Sequence, residues 1–168
     1  MKKNIAPRVF SEGFTLLELV VVFSIIAVLS TISISSFVSF SRNQTLQQAQ
    51  NDLINVLNTA KAKTVSQVKP SPACTNYNTL NGYSVSIDTA AQTYTLNVVC
   101  SGTTNPLPPP TPLPHGVTFN SSLDNPPTTT TSVFFSVLTG AVSGSGNIVL
   151  TSFGQTRTIT ITSEGTIQ

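Results

Sequence analysis

Charge is what this chain has least of. Asp, Glu, Lys and Arg make up 8% of its 168 residues, against about 25% in an average soluble domain. Thr, Ser, Asn and Gln must therefore cover most of its surface. So few cations make no basic field that would draw nucleic acid from a distance. Histidine is scarcer still. His115 is the only one, and between Pro114 and Gly116 it reads as a turn residue, not a base. Ser and Thr are abundant, but no signature pairs them with a His or Asp that would activate a nucleophile. The patterns G-x-x-x-x-G-K, G-x-G-x-x-G and C-x-x-C are all missing. No enzymatic activity, cofactor or metal is expected.

Proline and glycine are absent between Phe14 and Lys69. One continuous helix of about 80 Å is therefore allowed. Its two halves differ. Phe14 to Val38 is apolar on all sides and exceeds the roughly 20 residues needed to cross a bilayer core. The hydroxyls of Thr15, Ser24, Ser30, Thr31 and Ser33 can turn back onto the preceding turn. The second half is amphipathic. Leu46, Ala49, Leu53, Val56 and Ala60 recur at spacings of three and four, with Leu57 beside them, among Gln, Asn, Lys and Thr. That stripe is expected to be buried. Ser35, Ser36, Ser39 and Ser41 make the junction weak for a helix, and Lys69-Pro70-Ser71-Pro72 ends it.

One carboxylate interrupts the apolar half: Glu18, in E-G-F-T-L-L-E-L-V-V-V-F-S, residues 12–24. A charge at the centre of a bilayer costs about 2.5–3.5 kcal/mol on insertion scales. Its side chain lacks the local route open to the hydroxyls. It can reach back to the membrane interface or meet a positive group supplied from elsewhere. Before it lies a leader, M-K-K-N-I-A-P-R, with Lys2, Lys3 and Arg8, and no basic residue follows until Arg42. That asymmetry keeps the N-terminus cytoplasmic. A secretory signal would place a small-residue cleavage site after its apolar core. Here the small residue, Gly13, comes before it, so a cut there removes the leader and keeps the helix.

The run G-F-T-L-L-E-L-V-V-V resembles the prepilin signal of type IV pilins and type II secretion pseudopilins. The resemblance implies a cut between Gly13 and Phe14 by the prepilin peptidase, and methylation of the new Phe14 amine by the same enzyme. It implies that Glu18 pairs with the N-terminal amine of a neighbouring subunit during filament assembly, which would be the positive partner its setting calls for. It also implies an inner-membrane assembly platform and other pilin or pseudopilin subunits as partners. The chain would be a single-pass protein of a bacterial inner membrane with its C-terminal part outside, later drawn into a pilus or pseudopilus.

Removing the leader takes away Lys2, Lys3, Arg8 and Glu12. The remaining Arg42, Lys61, Lys63, Lys69 and Arg157 balance Glu18, Asp52, Asp88, Asp124 and Glu164. Cys74 and Cys100 lie beyond the membrane segment, hence outside the cytoplasm, where an even pair favours a disulfide. Such a bond would contribute about 3 kcal/mol by loop closure; the alternative is two buried thiols.

After the helix the pattern shifts to period two. Residues 82–88 and 94–100 alternate and are joined by T-A-A-Q-T, a hairpin. The run P-L-P-P-P-T-P-L-P, residues 106–114, cannot supply regular ladder donors and reads as a stiff extended spacer. Strands are expected at 116–120, 132–138, 147–152 and 157–162, with a loop at 121–131 and a short closing strand after E-G-T. The layout is α+β: a long N-terminal helix packed on antiparallel sheets, a pilin-like fold. It divides into a leader (1–13), a membrane or filament-core helix (14–40), an amphipathic helix (41–69) and a β-rich region (70–168).

The cadence F-F-S-V-L-T-G-A, then G-S-G-N-I-V-L-T-S, then T-R-T-I-T-I-T-S-E-G-T-I resembles the C-terminal half of GspH/FimT-type minor pseudopilins and minor pilins. This implies a minor structural subunit. The FimT side of the resemblance implies an alternative, a DNA-binding minor pilin of natural transformation. Its contact here would rest on Arg157 alone, with Glu164 nearby, so nucleic acid is not the expected partner. A third reading makes the Thr-rich sheet an adhesive contact at a pilus tip.

Overall fold

The computed structural model describes residues 13–74, 79–107, 109–121 and 130–168; of residues 31–33, 35, 121 and 130 it describes the backbone only. The leader ahead of Gly13, most of the expected loop at 121–131 and Pro108 of the proline run lie outside the described residues. The chain divides into two compact units between Phe40 and Ser41.

The first helix, α1, runs Leu16–Val65. It stops before Lys69 for a local reason. The Val68 N–H bonds the Lys63 carbonyl (3.2 Å) and the Gln67 N–H bonds the Thr64 carbonyl (3.2 Å). This is a Schellman motif, with Gln67 taking the left-handed position (φ 51°) that glycine usually fills. The buried stripe of α1 is Leu46, Ala49, Leu53, Leu57 and Ala60, continued by Thr64. Leu57 is fully buried while Val56 is half-buried, so the stripe follows the i+4 step where the sequence reading took i+3. Thr64 keeps its hydroxyl bonded by donating it to the Ala60 carbonyl (2.8 Å).

Among the described residues nine strands follow: β1 (Leu80–Asp88), β2 (Thr93–Cys100), β3 (Thr103–Pro106), β4 (Thr111–Pro112), β5 (Thr118–Ser121), β6 (Thr130–Ser136), β7 (Val142–Ser143), β8 (Gly146–Ser152) and β9 (Gln155–Ile161). One antiparallel sheet runs β3-β2-β1-β6-β7, with β4 also on β2; a second runs β5-β8-β9. The β1–β2 hairpin turns where expected. The Asp88 carboxylate accepts the Ala90 and Ala91 N–H groups (2.9 Å each), an Asx turn.

The proline run corrects its reading as a spacer. Its flanks lie along the edge of β2 as β3 and β4. An edge strand tolerates proline, and the leucines supply the donors: Leu107 N–H to the Leu96 carbonyl and Leu113 N–H to the Gln92 carbonyl, both 3.0 Å. The glycine-rich connection after β6 contains β7, which pairs with Phe134 and Phe135. Gly144, just beyond, is needed as glycine: its φ is +88°, and a Cβ there would run into the Ser132 carbonyl oxygen.

The core of the second unit joins the α1 stripe to the inner faces of both sheets. Tyr83, Val85, Ile87, Val98, Val133 and Phe135 of the first sheet and Ile148, Leu150 and Ile159 of the second are fully buried. Tyr94 and Phe119 meet edge to face across the sheets, centroids 6.4 Å apart. Polar ties hold the second sheet and the chain after it to the helix: Gln50 Nε2 to the Thr158 carbonyl of β9 (3.4 Å) and Lys61 Nζ to the Gly165 carbonyl beyond β9 (2.8 Å). The chain closes with Thr160 and Gln168 exchanging backbone bonds, and Ile161 bridging Ile167.

Candidate functional site

Gly13, Phe14 and Thr15 precede the first helical residue and are exposed. The Gly13–Phe14 bond therefore takes no part in the helical ladder. Among the described residues, apart from its chain neighbours, nothing lies within 4 Å of where a Cβ on Gly13 would stand. Phe14 leaves 76% of its surface open.

Thr15 caps the helix. Its carbonyl accepts the Leu19 N–H (3.2 Å) and its hydroxyl oxygen accepts the Glu18 N–H (3.3 Å). Glu18 is thus the third helical residue, in the T-x-x-E spacing of a capping box. A carboxylate there also faces the positive end of the helix dipole. The bond engages the Glu18 backbone N–H, not its carboxylate. The signal was in the sequence: a Thr three residues ahead of a Glu at the mouth of an apolar run.

Beyond Glu18 the first unit exposes many large apolar side chains, including Leu19, Phe23, Ile26, Leu29, Phe37 and Phe40. The hydroxyls of Ser24 and Ser30 turn back to the Val21 and Ile26 carbonyls (2.7 Å each). Among the described residues, no helix is long and apolar enough to cross a membrane. The expected span of Phe14 to Val38 includes residues 31–33 and 35, whose side chains lie outside the described ones.

A Gly13–Phe14 bond ahead of the helix, an acid in its first turn and a run of exposed apolar side chains frame the comparison with known families. Residues 11–34 match the prokaryotic N-terminal methylation motif. The match is consistent with a type IV pilin or pseudopilin, and the family that carries this motif is structural rather than enzymatic. Within the motif stand Gly13, Phe14, Thr15 and Glu18 together. No curated protein and no solved structure matches the chain.

The other candidate residues lie in the second unit, apart from the motif. Cys74 and Cys100 are joined by a disulfide, their Cα atoms 5.8 Å apart, which ties the segment after α1 to the end of β2. Arg157 on β9 donates from Nη2 to the Asn43 amide oxygen (3.2 Å) and is partly buried against α1. Two other cations of the second unit are also turned onto the fold: the Arg42 guanidinium lies 4.0 Å from the Phe153 ring centre, and Lys61 bonds Gly165. Sequence reasoning could not find the Arg157–Asn43 tie, because 114 residues separate the partners. Burial pushes the Tyr83 and Tyr94 phenols above their ordinary range, and the Asp52 charge adds to the shift at Tyr94. The Tyr83 hydroxyl donates to the Val68 carbonyl (2.7 Å), pinning the chain just after α1.

Proposed function

We propose that this chain is a structural subunit of a helical fibre, a minor pseudopilin of a type II secretion pseudopilus or a minor pilin of a type IV pilus. The methylation motif supports a pilin or pseudopilin processed by prepilin peptidase. The observation that carries the reading is the placement of its residues. A scissile Gly13–Phe14 bond lies outside the helix, an acid follows in its first turn at Glu18, and large exposed apolar side chains line the helix behind it.

The mechanism follows from those features. The peptidase reaches the Gly13–Phe14 bond without unwinding the helix. The cut frees the Phe14 amine, which is methylated and remains cationic. Held in the inner membrane, the helix keeps its apolar surface in lipid; extracted into a bundle of like helices, it keeps that surface dry. Glu18 then pairs with the Phe14 amine of a neighbour. An unpaired buried charge costs about 3–5 kcal/mol when its partner is removed, so the pairing fixes the axial register. The second unit, outside the membrane, selects neighbours. Arg157 and Arg42 serve the fold, which argues for a structural role over nucleic-acid capture.

The test is incorporation. Fibres sheared from cells that express the chain at its native level should contain it, in a form shorter than the precursor by the leader. Its absence from fibres, with full-length chain left in the membrane, would overturn the reading.

A further inference from the structure

A sheet ends in a row of unpaired N–H and C=O groups, and such a row is a template for a strand of another chain. Three edges of this molecule are met by groups of the chain itself. At β7 the Val142 N–H bonds the Ser163 carbonyl (3.0 Å). At β9 Thr160 exchanges backbone bonds with Gln168 (2.8 and 3.0 Å), and Gln50 reaches the Thr158 carbonyl (3.4 Å). At β5 the Phe119 N–H goes to the Gln92 side-chain oxygen. The edge along β3 and β4 is different. Pro106, Pro109, Pro110, Thr111 and Pro112 are all exposed there.

Register decides which way the backbone of that edge faces. In an antiparallel pair successive residues turn their N–H groups alternately toward the partner strand and away from it. Leu107 donates to the Leu96 carbonyl of β2 and Leu113 to the Gln92 carbonyl just before it, so the odd-numbered positions face inward. From 106 to 111 the edge advances five residues while from 97 to 94 β2 advances three, so the edge bulges by two residues and keeps its phase. The even-numbered positions face away from β2. Among the described residues they are Pro106, Pro110, Pro112 and Pro114. A proline has no N–H. The side that would meet another strand therefore carries carbonyls without the donors a ladder needs. The inward positions that pair with β2 carry Leu107, Thr111 and Leu113, and Pro109 falls within the bulge.

We infer that the proline run is an edge guard. It lets this segment complete the sheet on β2 while it stops a strand of a second copy from adding to the outer side. The alternation carries the inference: prolines occupy the outward row, and the leucines keep the inward bonds. The bulge works in the same direction, because it bends the edge away from a flat partner. The guard stands apart from the subunit reading, since an exposed strand edge is a hazard for any chain held at high local density.

The experiment uses full-length chain in detergent micelles. Pro106→Thr, Pro110→Thr and Pro112→Thr are made together, which restores three outward N–H groups on a residue suited to strands and leaves Leu107 and Leu113 in place. Mass is read by sedimentation over a concentration series against the unmodified chain, and backbone amides are followed by hydrogen exchange. The triple variant should self-associate about tenfold or more tightly than the unmodified chain, because each restored bond adds to the pairing. Its amides at 106, 110 and 112 should be protected in the associated form and exchange freely in the dilute one. Pro106→Thr and Pro112→Thr made singly should shift association in the same direction by less. A triple variant that keeps its β1 amides protected and associates no more than the unmodified chain would overturn the guard. So would association in which the amides at 106, 110 and 112 stay free to exchange, since the contact would then lie elsewhere. If the triple variant loses its β1 protection, the single variants decide: unchanged mass in both overturns the guard as well.

Discussion

Glu18 carries two physical accounts that a short series of variants separates. The local account is visible in the fold: Glu18 is the third residue of α1, capped by Thr15. If that were its whole role, Glu18→Gln would be nearly silent, because glutamine serves in a capping box as glutamate does. Only the charge-to-dipole interaction would go, about 0.3–1 kcal/mol. Thr15→Ala would be the worse change, at about 1 kcal/mol for a lost cap. The assembly account reverses that order. A neighbour's amine left without a counter-charge in an apolar bundle costs about 3–5 kcal/mol, more than a hundredfold in incorporation. Glu18→Gln and Glu18→Leu should then both be cleaved, inserted and folded, yet be depleted from sheared fibres by at least that factor. Thr15→Ala, which keeps the charge, should lose no more than about fivefold. The assay is the ratio of fibre to membrane chain at matched expression. Wild-type incorporation of the Gln variant would refute the electrostatic account. Equal losses for Thr15→Ala and Glu18→Leu would transfer the effect to the cap.

Three further outcomes concern the second unit. Replacing Cys74 and Cys100 by Ser should lower its melting temperature by roughly 10 °C, as expected for about 3 kcal/mol of lost loop closure; scanning calorimetry on full-length chain in detergent would read it, and an unchanged transition would refute it. Gln67→Gly should raise stability by about 0.5–1 kcal/mol, since glycine takes the left-handed Schellman position without strain; denaturant titration checks this. Tyr83 and Tyr94 have phenols raised in the fold, so their contribution is intact below the unfolded value near 10 and is lost as pH climbs past it toward the folded values. Stability should fall above about pH 10, and Tyr83→Phe, which cannot ionise, should flatten that fall while giving up the bond to Val68.

The elements that could be read in advance are those whose pattern is long enough to repeat. β1, β2, β8 and β9 are each seven or more residues long, enough for apolar positions two apart to show, and the helix stripe recurs over several turns. β4 and β7 are two residues each, too short for any period, and they exist because a neighbouring strand offers an edge. The helix stop at Gln67 was hidden because the backbone geometry is one that glycine normally announces. The candidate site was legible residue by residue in Gly13, Phe14 and Glu18, since their order and spacing are local. What the sequence reading missed there was geometry: Thr15 as the cap and Glu18 as the third residue of the helix. The partner of Arg157 depends on a contact between distant segments, and no local spacing encodes that.

The central claim is that the chain is cut at Gly13 and built into a fibre through the new end. The most direct measurement is the intact mass and N-terminal sequence of the chain extracted from fibres and membranes. The account predicts a mature chain that begins at Phe14 and carries one N-methyl group. A chain beginning at Met1, or at any residue other than Phe14, would contradict it.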